Sequence, residues 1–250
     1  MRRFIVFCLV LWAFVCLVMF APARWTLGFA PDQARAQIVP DSVRGTIWRG
    51  QGAAFLPKTQ WPIALSYQIN PFKAVMNQPF AKLAFSGDGL SGSGHVGRTG
   101  GKDIKAEFEL SQLPIADRRI KNIAGNVFIT LDQLKMTPEC KAAAGQVRTN
   151  ILASNATSWQ GWSGPILSGP ISCDGDSVRA SLKGADKDID ITVDLRLSPE
   201  GRYDVDMQLR PKTILPAQLG FILSALGFDE HEDGIMRLRE QGDMFQGVKR

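Results

Sequence analysis

The sequence lacks the residue groupings on which enzymes and metal proteins depend. Its two histidines, His95 and His231, are far apart, and no His, Cys, Asp and Glu residues fall together at metal-ligand spacing. It contains neither the Gly-x-Ser-x-Gly elbow of hydrolases nor a phosphate-binding loop. We therefore expect a protein that is not an enzyme and has no cofactor, no metal site and no small-molecule substrate.

Blocks of like charge are also missing. The net charge is +5, but the Lys and Arg residues are dispersed and no run of five like charges occurs. A nucleic-acid-binding surface normally concentrates its basic residues in a patch or stripe, so we expect no nucleic-acid partner. The mild positive charge favours attraction to an anionic membrane surface, with ordinary solubility as the simpler explanation.

One stretch matches a nucleotide motif literally. Gly87-Asp-Gly89-Leu-Ser-Gly92 has the spacing of the dinucleotide fingerprint. That fingerprint works only where its glycines open a helix whose N-terminal amides meet the pyrophosphate. Because glycine-rich alternation continues to Gly97, the stretch is predicted to be a strand with a glycine-rich turn.

The sequence lacks a second long apolar run, so the single run near its start is the only candidate for a membrane-spanning helix. Phe4 to Ala21 contains only uncharged, apolar residues, and a helix of about 18 residues is roughly 27 Å long, close to the thickness of a bilayer core. Its bulky side chains include Phe4, Trp12 and Phe20. The alternative is a signal peptide cleaved near Ala21-Pro22-Ala23, but the run exceeds the usual apolar length of such peptides. We favour an uncleaved membrane anchor.

The charges around this run predict its orientation. Arg2 and Arg3 precede it, and positive residues stay in the cytoplasm. The expected organisation is therefore a cytoplasmic tail at 1–3, an anchor at 4–21, a juxtamembrane linker at 22–40 and an exported β-rich domain at 41–250. With no further long apolar run, the protein is expected to be a single-pass membrane protein with most of its chain exported across that membrane.

The composition after the anchor is typical of a mainly β protein. Glycine is plentiful at 24 residues, and most apolar residues fall in short alternating runs. The clearest is an antiparallel hairpin in which Ile189 to Leu197 is joined through 198–201 to Tyr203–Leu209. Further strands are predicted at 43–52, 61–69, 82–96, 104–110, 127–131, 146–152 and 234–238, with a brief helix at 72–78.

A covering helix is predicted near the end of the chain. Apolar residues recur at helical spacing between 214 and 226, and Gly227 is a C-cap. Phe221 and Leu223 widen the apolar surface of this helix. Contact with the bilayer or a partner through these two side chains is the alternative to simple packing on the sheet.

Three aspartates share the polar face of the main hairpin. Asp188 and Asp190 are two residues apart, and Asp194 is four residues further on, so all three side chains lie on one face of the strand. A step of two residues is about 7 Å along a strand. A carboxylate pair or a calcium site is geometrically conceivable there. A solvated strand face is the simpler interpretation. Asp204 and Asp206 across the hairpin would add acidic repulsion, which the neighbouring Arg196, Arg202 and Arg210 could relieve.

Cysteine is scarce outside the anchor. Cys8 and Cys16 lie within the apolar run, and Cys140 and Cys173 are the only two beyond it. An even pair in an oxidising compartment predicts one disulfide, with Cys140 in a loop. Two separately buried thiols are the alternative.

Tryptophan, glycine and proline are dense between 159 and 175. Trp159 and Trp162 lie three residues apart within this segment. The composition favours tight turns packed under aromatic rings. A platform for a partner or a ligand is the alternative use of the two indoles.

The chain resembles the type II secretion system protein N family from about Val39 to Met244. The resemblance implies a non-catalytic inner-membrane component with a periplasmic β-rich domain, which works with other type II secretion subunits in the export of folded proteins across the outer membrane. The residues that carry it are Gly45-Thr-Ile-Trp48-Arg-Gly50, Gly125 to Leu131, Cys173-Asp-Gly175, Leu197 to Tyr203, Leu209-Arg-Pro211, Leu226-Gly227, Gly234 and Gly242.

The same pattern is similar to the AsmA-like proteins. Those proteins have long curved sheets that hold lipid in a groove, so this likeness implies a lipid-binding or lipid-transfer module as the second hypothesis. In both cases the expected fold is an N-terminal transmembrane helix followed by a bent, mostly antiparallel sheet with a covering C-terminal helix. Membrane lipid is an expected partner in both.

Overall fold

The computed structural model describes residues 2–27, 38–55, 62–76, 78–112, 124–137, 139–155, 164–213, 220, 223–224, 227–231 and 234–243. The chain divides into two compact units, Met1–Arg98 and Thr99–Arg250, called unit 1 and unit 2 below. Each unit carries its own run of antiparallel strands. The predicted mainly β, antiparallel fold class is confirmed.

Unit 1 places two helices before its sheet. Its five strands follow the chain order, β1-β2-β3-β4-β5, and neighbouring strands are antiparallel. Short loops between sequential strands make this a meander. The elements are α1 (Arg2–Met19), α2 (Arg24–Leu27), β1 (Ile38–Gly45), β2 (Arg49–Phe55), β3 (Pro62–Ile69), α3 (Pro71–Val75), β4 (Ala81–Gly87) and β5 (Leu90–Val96).

Helix α1 covers most of the apolar run. Phe4, Trp12 and, one residue past the helix, Phe20 are all exposed. Within the part of the chain that the structure describes, no helix is both long enough and apolar enough to cross a membrane.

Three sequence predictions for unit 1 can be compared with the structure. The single strand predicted at 43–52 is wrong, because the chain reverses at Thr46–Trp48 and forms the hairpin β1–β2. The brief helix is present as α3, capped by Asn70, whose side-chain oxygen accepts hydrogen bonds from the backbone N–H groups of Phe72 and Lys73. The rejected dinucleotide motif is the β4–β5 hairpin, as predicted.

Unit 2 is a longer meander. Its strand order is β6-β7-β8-β9-β10-β11-β12-β14-β13, so only the last two strands depart from chain order. A 3₁₀ turn follows β6 at Leu110–Gln112. The elements are β6 (Gly100–Glu109), β7 (Asn126–Met136), β8 (Cys140–Thr149), α4 (Ile151–Asn155), β9 (Leu167–Asp174), β10 (Ser177–Ala185), β11 (Ile189–Leu197), β12 (Arg202–Pro211), β13 (Asp229–Glu230) and β14 (Met236–Asp243).

One face of unit 2 forms its hydrophobic core. In the predicted hairpin β11–β12, Ile191 lies opposite Leu209, and each is 2% exposed, while Ile189 is fully buried. Burial of one such side chain contributes about 1.5–3 kcal/mol. The buried cluster comprises Val147, Leu167, Ile171, Ala180, Leu182, Ile189, Ile191, Val193, Leu209, Leu223, Phe228 and Met236.

Other predictions for unit 2 need correction. Cys140 begins β8 rather than lying in a loop, and β8 ends at Thr149 instead of continuing to Leu152. The turn-rich segment before Gly175 contains the strand β9, and β10 was not predicted. Mixed small and polar residues hide the alternation of these strands, although Ile171 of β9 is buried.

The covering helix is described only in part. Gly220, Leu223 and Ser224 are helical, and the rest of 214–226 lies outside the described residues. Gly227 has a φ of +95°, the left-handed conformation expected at a helix C-cap.

Candidate functional site

The end of helix α1 is hydrogen-bonded to the turn between β1 and β2. The Ala23 N–H donates to the Gly45 carbonyl at 3.0 Å, and the Ile47 N–H donates to the Ala21 carbonyl at 3.0 Å. The Trp48 indole N–H donates to the Val18 carbonyl at 2.9 Å. Residues 18–23 and 45–50 therefore form one packed structure, called the junction below.

The turn in the junction depends on Gly45. This residue has a φ of +103°, which side chains rarely allow, and a Cβ there would collide with the Arg49 carbonyl. The turn is closed by the Thr46 N–H, which donates to the Arg49 carbonyl at 2.8 Å. The Thr46 hydroxyl also accepts from the Trp48 and Arg49 amides.

Tyr67 fills the space that Gly50 leaves open. A Cβ on Gly50 would lie 2.6 Å from the Tyr67 hydroxyl oxygen, so any side chain there would displace the ring. The Tyr67 hydroxyl donates to the Thr46 carbonyl at 2.8 Å. Burial raises the pKa of Tyr67 above its usual value. Contacts within the junction thus explain why Gly45, Trp48 and Gly50 occupy the three defined positions of the Gly-x-x-Trp-x-Gly sequence.

A polar groove lies beside the junction. Its volume is about 550 Å³. Arg49 lies opposite Gln68 on β3, and Gln68 lies opposite Lys82 on β4, so two cations flank one amide on the same face of the sheet. The lining residues are Arg44, Gly45, Arg49, Gly50, Gln51, Ser66, Tyr67, Gln68, Lys82 and Ala84, with no acidic residue among them.

The aspartates of the main hairpin are engaged in ion pairs. The Asp190 carboxylate is 2.8 Å from the Lys212 ammonium, and Asp188 is 3.9 Å from Lys187. Asp194 is 2.8 Å from Arg179. Among the described residues, no group of three or more His, Cys, Asp or Glu residues could hold a metal ion. The face is a set of ion pairs rather than a cluster of free carboxylates.

Two of these carboxylates have lowered pKa values. Burial pushes the pKa of Asp194 upward, but hydrogen bonds from Ser181 and Arg179 outweigh it and leave the pKa below its usual range. The pKa of Asp204 is lowered chiefly by a hydrogen bond from Arg239 on β14. The sequence predicts that Arg196 offsets the charge of Asp204. In the structure Arg239, on β14, has the larger effect on the pKa of Asp204.

The predicted disulfide is present. Cys140, at the start of β8, is bonded to Cys173, near the end of β9, across a sequence separation of 33 residues. The Cys140 N–H also donates to the Asp176 carbonyl at 3.1 Å. The bond therefore links β8 to β9 beside the turn that leads into β10.

The predicted partner surface is not assembled in the described residues. Leu223 is 4% exposed and belongs to the core, so its side chain does not form a surface. Trp159, Trp162 and Phe221 lie outside the described residues. The polar groove was missed, although the clustering of Arg44, Arg49 and Lys82 in a stretch without acidic residues was a usable signal.

Comparison with known proteins decides the family. The family model described as Type II secretion system (T2SS), protein N, matches residues 36–239. The chain belongs to the type II secretion system protein N family. A curated member, Type II secretion system protein N of Aeromonas hydrophila, is 26% identical over 221 residues, which cover 81% of this chain and 83% of that protein. No solved structure matches.

Membership in the protein N family confirms the resemblance seen in the sequence. The matched region takes in β1 to β13 and the first half of β14, including the turn residues Gly45–Gly50 of the junction, whereas α1 precedes it. Membership supports a role as a component of the type II secretion system.

Proposed function

We propose that this protein is a non-catalytic, single-pass inner-membrane subunit of the type II secretion system that supports the export of folded periplasmic proteins through protein–protein contacts. Residues 4–21 form the anchor, residues 1–3 stay in the cytoplasm, and the remainder lies in the periplasm. The observation that carries the proposal is the match of residues 36–239 to the protein N family. The junction adds that the end of α1 is tied to the sheet of unit 1 through three hydrogen bonds.

The exposed apolar surface of α1 supports the proposal that this helix is a membrane anchor. Most of its described bulky side chains, among them Phe4, Phe7 and Trp12, are more than half exposed. An apolar surface of this kind is unfavourable in water and favourable in lipid tails. A bilayer is the environment that covers such a helix on all sides.

The disulfide supports the proposed location of unit 2 in the periplasm. Bonds such as Cys140–Cys173 persist in the bacterial periplasm and are rare in the cytoplasm. This agrees with the orientation that Arg2 and Arg3 favour.

An exposed strand edge offers a means of contact with other subunits. Strand β13 pairs only with Met236 and Arg237 of β14, so Leu238–Gly242 have a described strand neighbour on one side only, at β12. Free backbone groups on an edge strand can pair with a strand from another protein. We propose this edge as a contact site for another secretion subunit.

Deletion of the gene in its source bacterium tests the proposal. We expect folded enzymes to accumulate in the periplasm while the outer membrane stays a normal barrier, and we expect the full chain supplied in trans to restore export. Normal export in the deletion strain would contradict the proposed role.

A lipid-binding module remains the second candidate because one observation favours it. On the apolar face of unit 1, Leu65 and Leu83 are 39% and 40% exposed and lie opposite Phe85 and Tyr67. A face of this kind is suited to an acyl chain. A leaky outer membrane with normal export in the deletion strain, and phospholipid that co-purifies with the protein but not with a Leu65→Ser/Leu83→Ser variant, would favour this candidate.

A further inference from the structure

The short helix α3 presents three large apolar side chains to solvent. Phe72 is 78% exposed, Val75 88% and Met76 69%. These positions are three and four residues apart, a spacing that places them on one side of a helical turn. Single exposed apolar residues are ordinary, but three that project together from a connection between strands form a patch that needs a partner.

Backbone contacts place this patch at the junction end of unit 1. The Ile69 N–H, at the end of β3, donates to the Trp48 carbonyl at 2.6 Å, and the Trp48 indole reaches the Val18 carbonyl of α1. The next residue, Asn70, caps α3 and donates its own N–H to the Phe80 carbonyl at 2.7 Å. Helix α3 therefore begins two residues from a direct contact with the turn that holds the end of α1.

Positive charge lies at the same end of unit 1 as the patch. Lys73 lies within α3, and Arg49 and Lys82 lie at the ends of β2 and β4 that face the same connection; all three are exposed. Between Asp41 and Asp88 the chain has no acidic residue. Residues 22–98, the part of unit 1 placed in the periplasm, contain eight Lys and Arg residues against three Asp, a net charge of +5, whereas residues 99–250 carry a net charge of −2.

The segment that follows α1 has an interfacial composition. Arg24 and Trp25 begin α2, and the indole of Trp25 is more than half exposed. Tryptophan is enriched at membrane–water interfaces because its ring is apolar and its N–H is polar. The junction end of unit 1 thus combines an apolar patch, an exposed indole and cations.

We propose that α3 is a second membrane contact, in which Phe72, Val75 and Met76 enter the periplasmic leaflet of the membrane that α1 spans while Lys73, Lys82 and Arg49 meet anionic phospholipid headgroups. This inference rests on the proposed anchor. An apolar face surrounded by basic residues binds membranes by burying apolar area and by attraction to anionic lipid. Together with α1, the contact would fix the orientation of unit 1 on the membrane.

Thiol accessibility in the full chain tests this contact. Cys8→Ala/Cys16→Ala removes the reactive thiols of α1 and leaves the Cys140–Cys173 disulfide. In this background Val75→Cys is compared with Phe128→Cys, an exposed apolar position on β7 that serves as the matched control. Each variant is reconstituted in vesicles of phosphatidylethanolamine and phosphatidylglycerol and treated with a membrane-impermeant maleimide. Both thiols lie on the same side of the membrane. The ratio of their reaction rates is therefore independent of the fraction of protein inserted in each orientation.

We expect the thiol at 75 to react about tenfold more slowly than the thiol at 128, the ratio that a protection free energy of about 1.4 kcal/mol gives. We expect this protection to fall when Arg49, Lys73 and Lys82 are all changed to Gln. Equal protection in vesicles without phosphatidylglycerol would overturn the headgroup contact.

The remaining outcomes separate this inference from the proposed anchor. Equal labelling of the two thiols in protein that resists carbonate extraction would overturn the α3 contact and leave the anchor intact. Protection that appears only in cells with the complete secretion system would also overturn it, in favour of a protein partner. Release of the full chain by carbonate would overturn the anchor, and the α3 contact with it.

Discussion

The indole N–H of Trp48 donates a 2.9 Å hydrogen bond to the carbonyl oxygen of Val18, 30 residues earlier in the chain. In a continuing helix this carbonyl would accept from the residue four positions later, which is Pro22 and has no N–H. Trp48 therefore satisfies a backbone group that the end of α1 leaves open. One side chain of the β1–β2 turn thus completes the hydrogen bonding of the helix end.

Removing this hydrogen bond should loosen the junction. Trp48→Phe keeps an aromatic ring but loses the donor, and we expect it to lower the free energy of unfolding by about 0.5–1.5 kcal/mol. Trp25→Phe, an exposed tryptophan near the same helix end, is the control. Chemical unfolding of the full chain in one detergent measures both, and equal effects would contradict the capping role of Trp48.

Gly50→Ala should be costly because of Tyr67. The added methyl group would lie 2.6 Å from the Tyr67 hydroxyl oxygen, and we expect a loss of about 1–3 kcal/mol from this overpacking. Gly52→Ala is the control, since its Cβ would lie 3.3 Å from the nearest atom, on Val43. In a double-mutant cycle with Tyr67→Ala, the cost of Gly50→Ala should largely disappear. Additive costs would show that the ring is not the obstacle.

Loss of the disulfide should destabilise unit 2. Cys140→Ser opens a loop of 33 residues, and the chain-entropy model gives a cost of about 3–4 kcal/mol. We expect a lower melting temperature under oxidising conditions, with no difference from the wild type once reductant is present. Cys16→Ser, which removes a free cysteine, should leave melting unchanged. An unaltered melting temperature for Cys140→Ser under oxidising conditions would contradict a stabilising role of the bond.

Asp194 should contribute to the acid sensitivity of unit 2. Its pKa is lower in the folded state, where hydrogen bonds from Ser181 and Arg179 outweigh burial, than in the unfolded chain. Its contribution is therefore fully present above the unfolded pKa of about 3.9 and is lost as pH falls through the lower folded pKa. Asp194→Asn should reduce stability at neutral pH and flatten the fall in stability below about pH 4.

Urea unfolding at a series of pH values checks this prediction. Asp132→Asn, at an exposed acidic position on β7 of the same unit, is the control for the loss of one carboxylate. An Asp194→Asn profile parallel to the wild type throughout the acid range would show that the Asp194 pairing does not couple to folding.

The sequence predicts well those strands in which buried apolar residues alternate regularly with exposed polar residues. In β11 the buried Ile189, Ile191 and Val193 alternate with polar residues because one face meets the core and the other meets water. Strand β10 keeps the same alternation through Ala180 and Leu182, but serine, lysine and glycine between and beside them weaken the pattern.

The junction shows why the remaining features are harder to predict. Gly45 and Gly50 stand out in the sequence, but the reason for Gly50 is Tyr67, on the next strand, and the reason for Trp48 is a carbonyl in α1. Such contacts depend on strand register, and a shift of one residue would turn Tyr67 to the opposite face. The polar groove has the same origin, since register alone brings Arg49 and Lys82 to either side of Gln68.

The most direct measurement of the central claim is export in a deletion strain that carries either the full chain or residues 22–250 behind a cleavable signal peptide. The two forms place the same domain in the periplasm and differ only in the anchor, so immunoblots must first show equal amounts and an intact Cys140–Cys173 disulfide. The account predicts that the full chain restores export and that the detached domain does not, because the anchor supplies both location and high effective concentration beside membrane partners. Equal restoration by the detached domain would contradict an anchored secretion subunit.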